Sequence, residues 1–155
     1  WLTPKMRTLL IATAMLLTGN LFSQHRRYFT FADTTFSPGQ THRLALQYVV
    51  ARPELDSASL PCMDSVAAFL NKNKALSIEI AVHGKSTGCM AITASRSKQL
   101  ADALVARGID PKRLFPVGYG EKKPLISEQE VMRAATKEEK EYLMSLNRRT
   151  EIIIK

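Results

Sequence analysis

Apolar residues recur at two distinct periods along this chain, and the switches between them mark its elements. Arg43 to Val50 alternates and is rich in strand formers, which predicts a first strand. Ala51 to Ser59 reads as a connection. Leu60-Pro61 then opens a helix, because proline is tolerated in the first helical turn. Met63, Val66, Ala67 and Leu70 recur at helical spacing and leave Asp64, Ser65, Asn71 and Lys72 outside. Ser77 to His83 alternates again and sets Ile78, Ile80 and Val82 on one face of a second strand. A glycine-bounded loop follows, Gly84-Lys85-Ser86-Thr87-Gly88. A second helix is predicted from about Thr93 to Arg107, burying Leu100, Ala101 and Leu104 and ending at Gly108 as a left-handed cap. Arg113 to Val117 makes a short third strand before the turn Gly118-Tyr119-Gly120. The patterns Ser127-x-x-Glu130 and Thr136-x-x-Glu139 are capping boxes and predict two short helices. Thr150 to Lys155, with Ile152-Ile153-Ile154 unbroken, is the last strand.

The first regular element is preceded by a stretch with Tyr28, Phe29, Phe31 and Phe36, closed by the turn pair Pro38-Gly39. Residues 24–40 are therefore expected to form an extended lead-in that could include an edge strand. The predicted order is β-α-β-α-β, a short helical insertion, then β. Two main helices packed on one face of a small mixed sheet satisfy that order, which makes the fold class α+β. A length of 155 residues suits one domain, with no internal repeat and no low-complexity tract.

The N-terminus carries a different signal. Met6-Arg7-Thr8 precedes an apolar run from Leu9 to Leu17, and Thr18-Gly19-Asn20-Leu21-Phe22-Ser23-Gln24 follows. One positive charge, a short apolar stretch and a small residue before a polar one are the parts of a secretory signal. A membrane span needs about 20 apolar residues, and this run is interrupted too early. Cleavage is expected after Ser23, with Trp1 to Lys5 upstream of the true start; a buried N-terminal helix is the alternative. The expected organisation is 1–23 signal peptide with upstream residues, 24–40 lead-in and 41–155 the domain, with no transmembrane span in the mature chain.

Composition adds less. The 22 basic and 14 acidic side chains give +8, and +6 once Lys5 and Arg7 are removed. A basic exported domain suits an anionic partner such as a cell-wall polymer, although the same charge also serves solubility. Cys62 and Cys89 have no metal-type spacing. Export permits a disulfide between them, and two buried thiols are the equal alternative. Gly84-Lys85-Ser86-Thr87 follows a strand and precedes a helix, but a phosphate-binding loop would need a glycine where Glu79 stands. His25, His42 and His83 form no ligand pattern, so His83 is expected to cap the strand end or line the loop. No nucleophile elbow or cysteine–histidine relay is present. The sequence thus gives no reason to expect catalysis, a metal, a cofactor or nucleic-acid binding.

Five segments together carry a resemblance. Leu76 to Gly84, Ser95-Arg96-Ser97, Arg107 to Leu114, Gly118 to Pro124 and Asn147-Arg148-Arg149-Thr150-Glu151-Ile152 resemble, in the same order, OmpA C-terminal-like domains of the OmpA, Pal and MotB type. The resemblance spans roughly residues 44–155. It implies a β-α-β-α-β-β module of the Gram-negative periplasm, or one associated with the outer membrane, that recognises the diaminopimelate stem of peptidoglycan. That ligand end is a zwitterion. A carboxylate on the protein takes its ammonium, and a guanidinium meets its carboxylate through paired, charge-assisted hydrogen bonds. The family arginine at the start of the second helix maps to Arg96, where a helix start also favours an anion. The paired arginines before the last strand map to Arg148 and Arg149, beside Asn147.

Departures from the family pattern lie on the acidic side. Where the family usually has an Asp two residues after the strand-end His or Tyr, this chain has Lys85, so Lys85 joins Arg96, Asn147, Arg148 and Arg149 as the expected site residues. The loop is shorter by about four residues, and Tyr48-Val49-Val50-Ala51 replaces a polar group at the end of the first strand. Losing a charge-assisted partner costs ~1.5–3 kcal/mol. Two readings follow: a module that holds peptidoglycan through its arginines, or an interaction domain of an envelope complex that has lost the ligand site. For Arg96 the structural alternative is a surface arginine or a pair with Glu79, Asp102 or Glu151. Arg148 and Arg149 could equally pin the insertion against the sheet.

Overall fold

Strand-forming alternation and two amphipathic helices place the core. A computed structural model describes residues 27–49, 52–85 and 88–155. The expected export segment 1–23, with its cleavage after Ser23, lies outside these residues, as do Val50, Ala51, Ser86 and Thr87. Strands β1 (Thr41–Leu44), β2 (Ile78–His83), β3 (Leu114–Gly120) and β4 (Arg149–Ile154) form one sheet in the order β1-β4-β2-β3. β4 runs antiparallel to both neighbours, and β2 and β3 are parallel. Helices α1 (Leu60–Lys72) and α2 (Met90–Val105) make the two crossovers, and α3 (Glu128–Met132) and α4 (Lys137–Asn147) form the insertion before β4. This is the expected α+β architecture with its small mixed sheet.

The predicted core positions are buried. Ile78, Ile80 and Val82 of β2, Ile152 and Ile154 of β4, Met63, Val66 and Leu70 of α1, and Leu100 and Leu104 of α2 join one cluster. Each such side chain contributes about 1.5–3 kcal/mol on leaving water, against the entropy of ordering it. The lead-in adds to this core. Phe29 is 2 % exposed and packs with Phe31 and Phe36 around Phe69 of α1, at centroid distances of 5.0–5.5 Å to the Phe69 ring. Its backbone bonds Thr41, in a single parallel bridge at Tyr28 rather than a continuous strand. Pro38-Gly39 turns as expected, with Gly39 at φ +86°.

Helix ends follow the local chemistry. Gly108 sits at φ +85° beyond α2. Ser127 and Glu130 close a complete capping box on α3. On α4 the Thr136 side chain accepts from Glu139 N–H, while Glu139 reaches the N–H of Ala135 instead of returning to Thr136.

Four boundaries differ from expectation. β1 ends at Leu44 rather than Val50, because residues 47–49 turn their backbone toward the following connection. Val49 N–H donates to Glu54 O, Asp56 N–H to Gln47 O, and the Ser59 hydroxyl holds both N–H and C=O of Gln47. β3 continues through Gly118-Tyr119-Gly120, since a register shift between Val82 and His83 lets the strand pairing reach Gly120. β4 starts one residue early, at Arg149. α2 begins at Met90 instead of Thr93, and Thr93 is a buried helical residue whose hydroxyl receives Gly120 N–H at 3.0 Å. Cys62 and Cys89 are not joined by a disulfide, and burial raises the Cys62 thiol above its ordinary pKa.

Candidate functional site

Because β1 stops at Leu44, residues 45–49 leave the sheet and form one wall of a cleft of about 640 Å³. Val82 and His83 at the end of β2, and Arg148 to Thr150 at the start of β4, make the opposite wall; Arg96 reaches in from α2. Three of the five expected site residues therefore meet: Arg96, Arg148 and Arg149.

They are held very differently. Arg96 sits over the Tyr48 ring, its Cζ 4.1 Å from the centroid, and Nε and Nη2 donate to the Arg52 carbonyl at 3.3 and 2.9 Å. Tyr48 is anchored in turn, its hydroxyl 3.0 Å from Thr150 Oγ1. Burial lowers the Arg96 pKa, and the nearby positive charge of Arg148 lowers it further; burial raises that of Tyr48. Arg96 pairs with none of the acids considered for it: Glu79 takes Tyr119 and Lys155, Asp102 takes Lys98, and Glu151 takes Arg149 and His83. Nor does it sit at a helix start. With α2 beginning at Met90, Arg96 is in the second turn, and the terminal partial charge fades within the first.

Arg148 is exposed and makes no hydrogen bond or ion pair through its side chain among the described residues. Arg43 of β1, at the same cleft, is likewise exposed and without a side-chain partner among the described residues, so these two guanidinium groups are open to a ligand. Arg149 is 9 % exposed and committed to the fold. Its Nη atoms donate to the carbonyls of Lys123 and Asn147. Its Nε lies 3.1 Å from Glu151 Oε1, an ion pair whose N–H vector misses the oxygen.

The other two residues lie elsewhere. Asn147 is buried, and its side chain clamps the insertion: Oδ1 accepts from the N–H groups of Leu125 and Ile126 at 2.8 Å, and Nδ2 donates to Ile126 O at 2.9 Å. Lys85 pairs with Glu141 of α4 at 3.2 Å. Both line a second cavity of about 370 Å³ beneath α4. Neither Lys85 nor the insertion fills the first cleft. Arg43 and Tyr48, which the sequence did not single out as site residues, line the arginine cleft. Tyr48 stood in a group flagged only as a departure. Its packing on Arg96 depends on the path of residues 47–56, which no local pattern specifies.

His83 ends β2, as expected, and is 4 % exposed. It stacks on Tyr119 with centroids 5.0 Å apart, and its Nε2 lies 3.4 Å from Glu151 Oε2. The Glu151 carboxyl is pulled below the usual carboxylate range, first by His83 and then by Arg149, against an upward push from burial. A depressed folded-state pKa contributes stability above the unfolded value, about 4.3, and loses it as pH falls through the folded value. Glu151→Gln is therefore expected to lower stability at neutral pH and to converge with the parent in acid. Urea titrations from pH 7 down to 2 check this; a constant gap at every pH would remove the linkage.

Among the described residues no group of three or more His, Cys, Asp or Glu could hold a metal, and no helix is long and apolar enough to cross a membrane.

A family model described as the OmpA family matches residues 47–137. The fold is similar to that of a MotB-like protein from Desulfovibrio vulgaris, with a TM-score of 0.61 at 20 % identity, covering 78 % of this chain and 76 % of that one. It is also similar to the peptidoglycan-associated lipoprotein from Burkholderia pseudomallei, with a TM-score of 0.58 at 15 % identity over 81 % and 100 % of the two chains. The cell wall anchor of the T6SS from Pseudomonas aeruginosa gives 0.55 at 20 % identity over 74 % and 78 %. At these identities the likeness establishes the fold. The sequence has no match among curated proteins.

Proposed function

The chain belongs to the OmpA family, and from that premise we propose that it is a periplasmic envelope module that binds peptidoglycan non-covalently, without catalysing its turnover. The observation that carries this reading is the guanidinium of Arg148, exposed and unpaired among the described residues, beside the Tyr48-held Arg96 in an open cleft. Two guanidinium groups at one opening can meet a stem-peptide carboxylate with paired, charge-assisted hydrogen bonds. Contact with the Tyr48 ring and the hydrogen bonds to the Arg52 carbonyl hold Arg96 in place, so little of its side-chain freedom remains to be lost on binding. Arg149 and Asn147 serve the same site from behind. They tie Lys123, Leu125 and Ile126 to the start of β4, next to Arg148.

The alternative, an interaction domain of an envelope complex that has lost its ligand site, draws on the internal commitments of Arg149, Asn147 and Lys85. Co-sedimentation with purified sacculi separates the two. The protein is expected in the pellet, and partly released by high salt because exposed charges are screened. Protein wholly in the supernatant at low and high salt would remove the peptidoglycan reading. Release of soluble muropeptides during the incubation would remove the non-catalytic one.

A further inference from the structure

The cleft is charged with one sign only. Arg43, Arg96, Arg148 and Arg149 line it, and no Asp or Glu does. All 14 acidic residues of the sequence fall within the described segments, so no carboxylate is hidden in a part of the chain outside them. Glu151, which follows the cleft residue Thr150, is spent: one oxygen faces Arg149 at 3.1 Å and the other faces His83 at 3.4 Å. The lysine that replaces the family acid is turned away to Glu141. An ammonium entering this cleft would meet guanidinium groups and an imidazole, with no anion to receive it.

Resting on the peptidoglycan reading above, we infer that the cleft recognises a stem-peptide carboxylate whose neighbouring amine is acylated, as in a cross-link, in preference to one beside a free ammonium. The physical basis is the difference between two forms of one ligand. In a free diamino-acid side chain the carboxylate and the ammonium share a carbon, so the arginines cannot reach one without approaching the other. Acylation turns the ammonium into a neutral amide and leaves the carboxylate intact. The repulsion disappears while both guanidinium contacts are kept. His83 does not change this balance: its ring nitrogens are buried, and Nε2 already faces Glu151 at 3.4 Å.

The test uses two synthetic probes and the full chain. One probe is the tripeptide L-alanyl-γ-D-glutamyl-meso-diaminopimelate with its distal amine free; the other is the same peptide acetylated on that amine. Calorimetry at low salt is expected to show the acetylated peptide binding at least tenfold more tightly. Val49→Glu places a carboxylate in the lining at an exposed position, and it is expected to shift the preference toward the free amine. Equal affinity for the two peptides, or tighter binding of the free amine by the parent protein, overturns the inference. So does a preference that Val49→Glu leaves unchanged, because a charge effect must respond to a charge. If neither peptide binds, the inference is overturned, and sacculus sedimentation then decides the parent reading: protein still in the pellet leaves it standing, protein in the supernatant removes it.

Discussion

Arg148→Glu is expected to release the protein from sacculi, with affinity falling on the order of a hundredfold. Arg148, like Arg43, is an exposed guanidinium of the cleft with no side-chain partner among the described residues, so its charge is available to a ligand. Loss of one charge-assisted hydrogen-bonding partner removes about 1.5–3 kcal/mol, and each ~1.4 kcal/mol is a factor of ten. A glutamate goes further, setting a negative charge against the ligand carboxylate. Stability should hardly change, because surface substitutions of this kind stay within about ±0.5 kcal/mol. The same sedimentation with Lys85→Ala gives the contrast. Lys85 faces Glu141 outside the cleft, so its loss should move binding little. If Arg148→Glu pelleted as well as the parent while Lys85→Ala did not, the site would have to be relocated to the cavity beneath α4.

Gly118→Val is expected to be the most damaging single change to the fold. A Cβ at Gly118 would overlap backbone atoms of Thr93 and Ala94 in α2. Because the atoms met are main chain, truncating a side chain on the helix cannot make room. α2 would have to move off β3, the strand against which it packs most extensively. That motion would drag Thr93 from Gly120 and shift Arg96, six residues along the helix from Met90. Overpacking alone typically costs about 1–3 kcal/mol. A main-chain clash should lie at or above the top of that range, out of a total near 5–15 kcal/mol. A melting point roughly 10 °C lower follows for a domain of this size. Thermal and urea melts measure it directly; a variant melting within 2 or 3 °C of the parent would mean that helix and strand are not held in this contact.

Gly118 also shows how a correct local reading can miss its consequence. Two glycines around a tyrosine signal a turn, yet here the same residues extend β3, and the missing side chain serves helix–strand approach. The signal was sound but ambiguous. β1 failed in another way. Alternation from Arg43 to Val50 fits a strand, but Ser59, twelve positions downstream of Gln47, captures the backbone first. That hydroxyl has no signature in the run it interrupts. Thr93, expected to open α2, is instead enclosed three residues inside it. This displacement removed the helix-terminal contribution assigned to Arg96.

What the sequence by itself determined was the order of elements, the faces of α1, α2, β2 and β4 that enter the core, the caps of the insertion helices, and which arginines are available. Those features depend on neighbours within about four positions, where helical and strand periods, proline and glycine act directly. Tertiary structure alone decided which arginines share an opening and which are consumed within the fold. Tyr48 bonds Thr150 across 102 positions, and Arg96 finds a carbonyl 44 positions away. Asn147, Arg148 and Arg149 are adjacent in sequence, yet one clamps a loop, one is open to solvent and one is in a buried ion pair. Successive residues entering a strand project to different sides, so their fates are set by whatever the rest of the chain packs against each side.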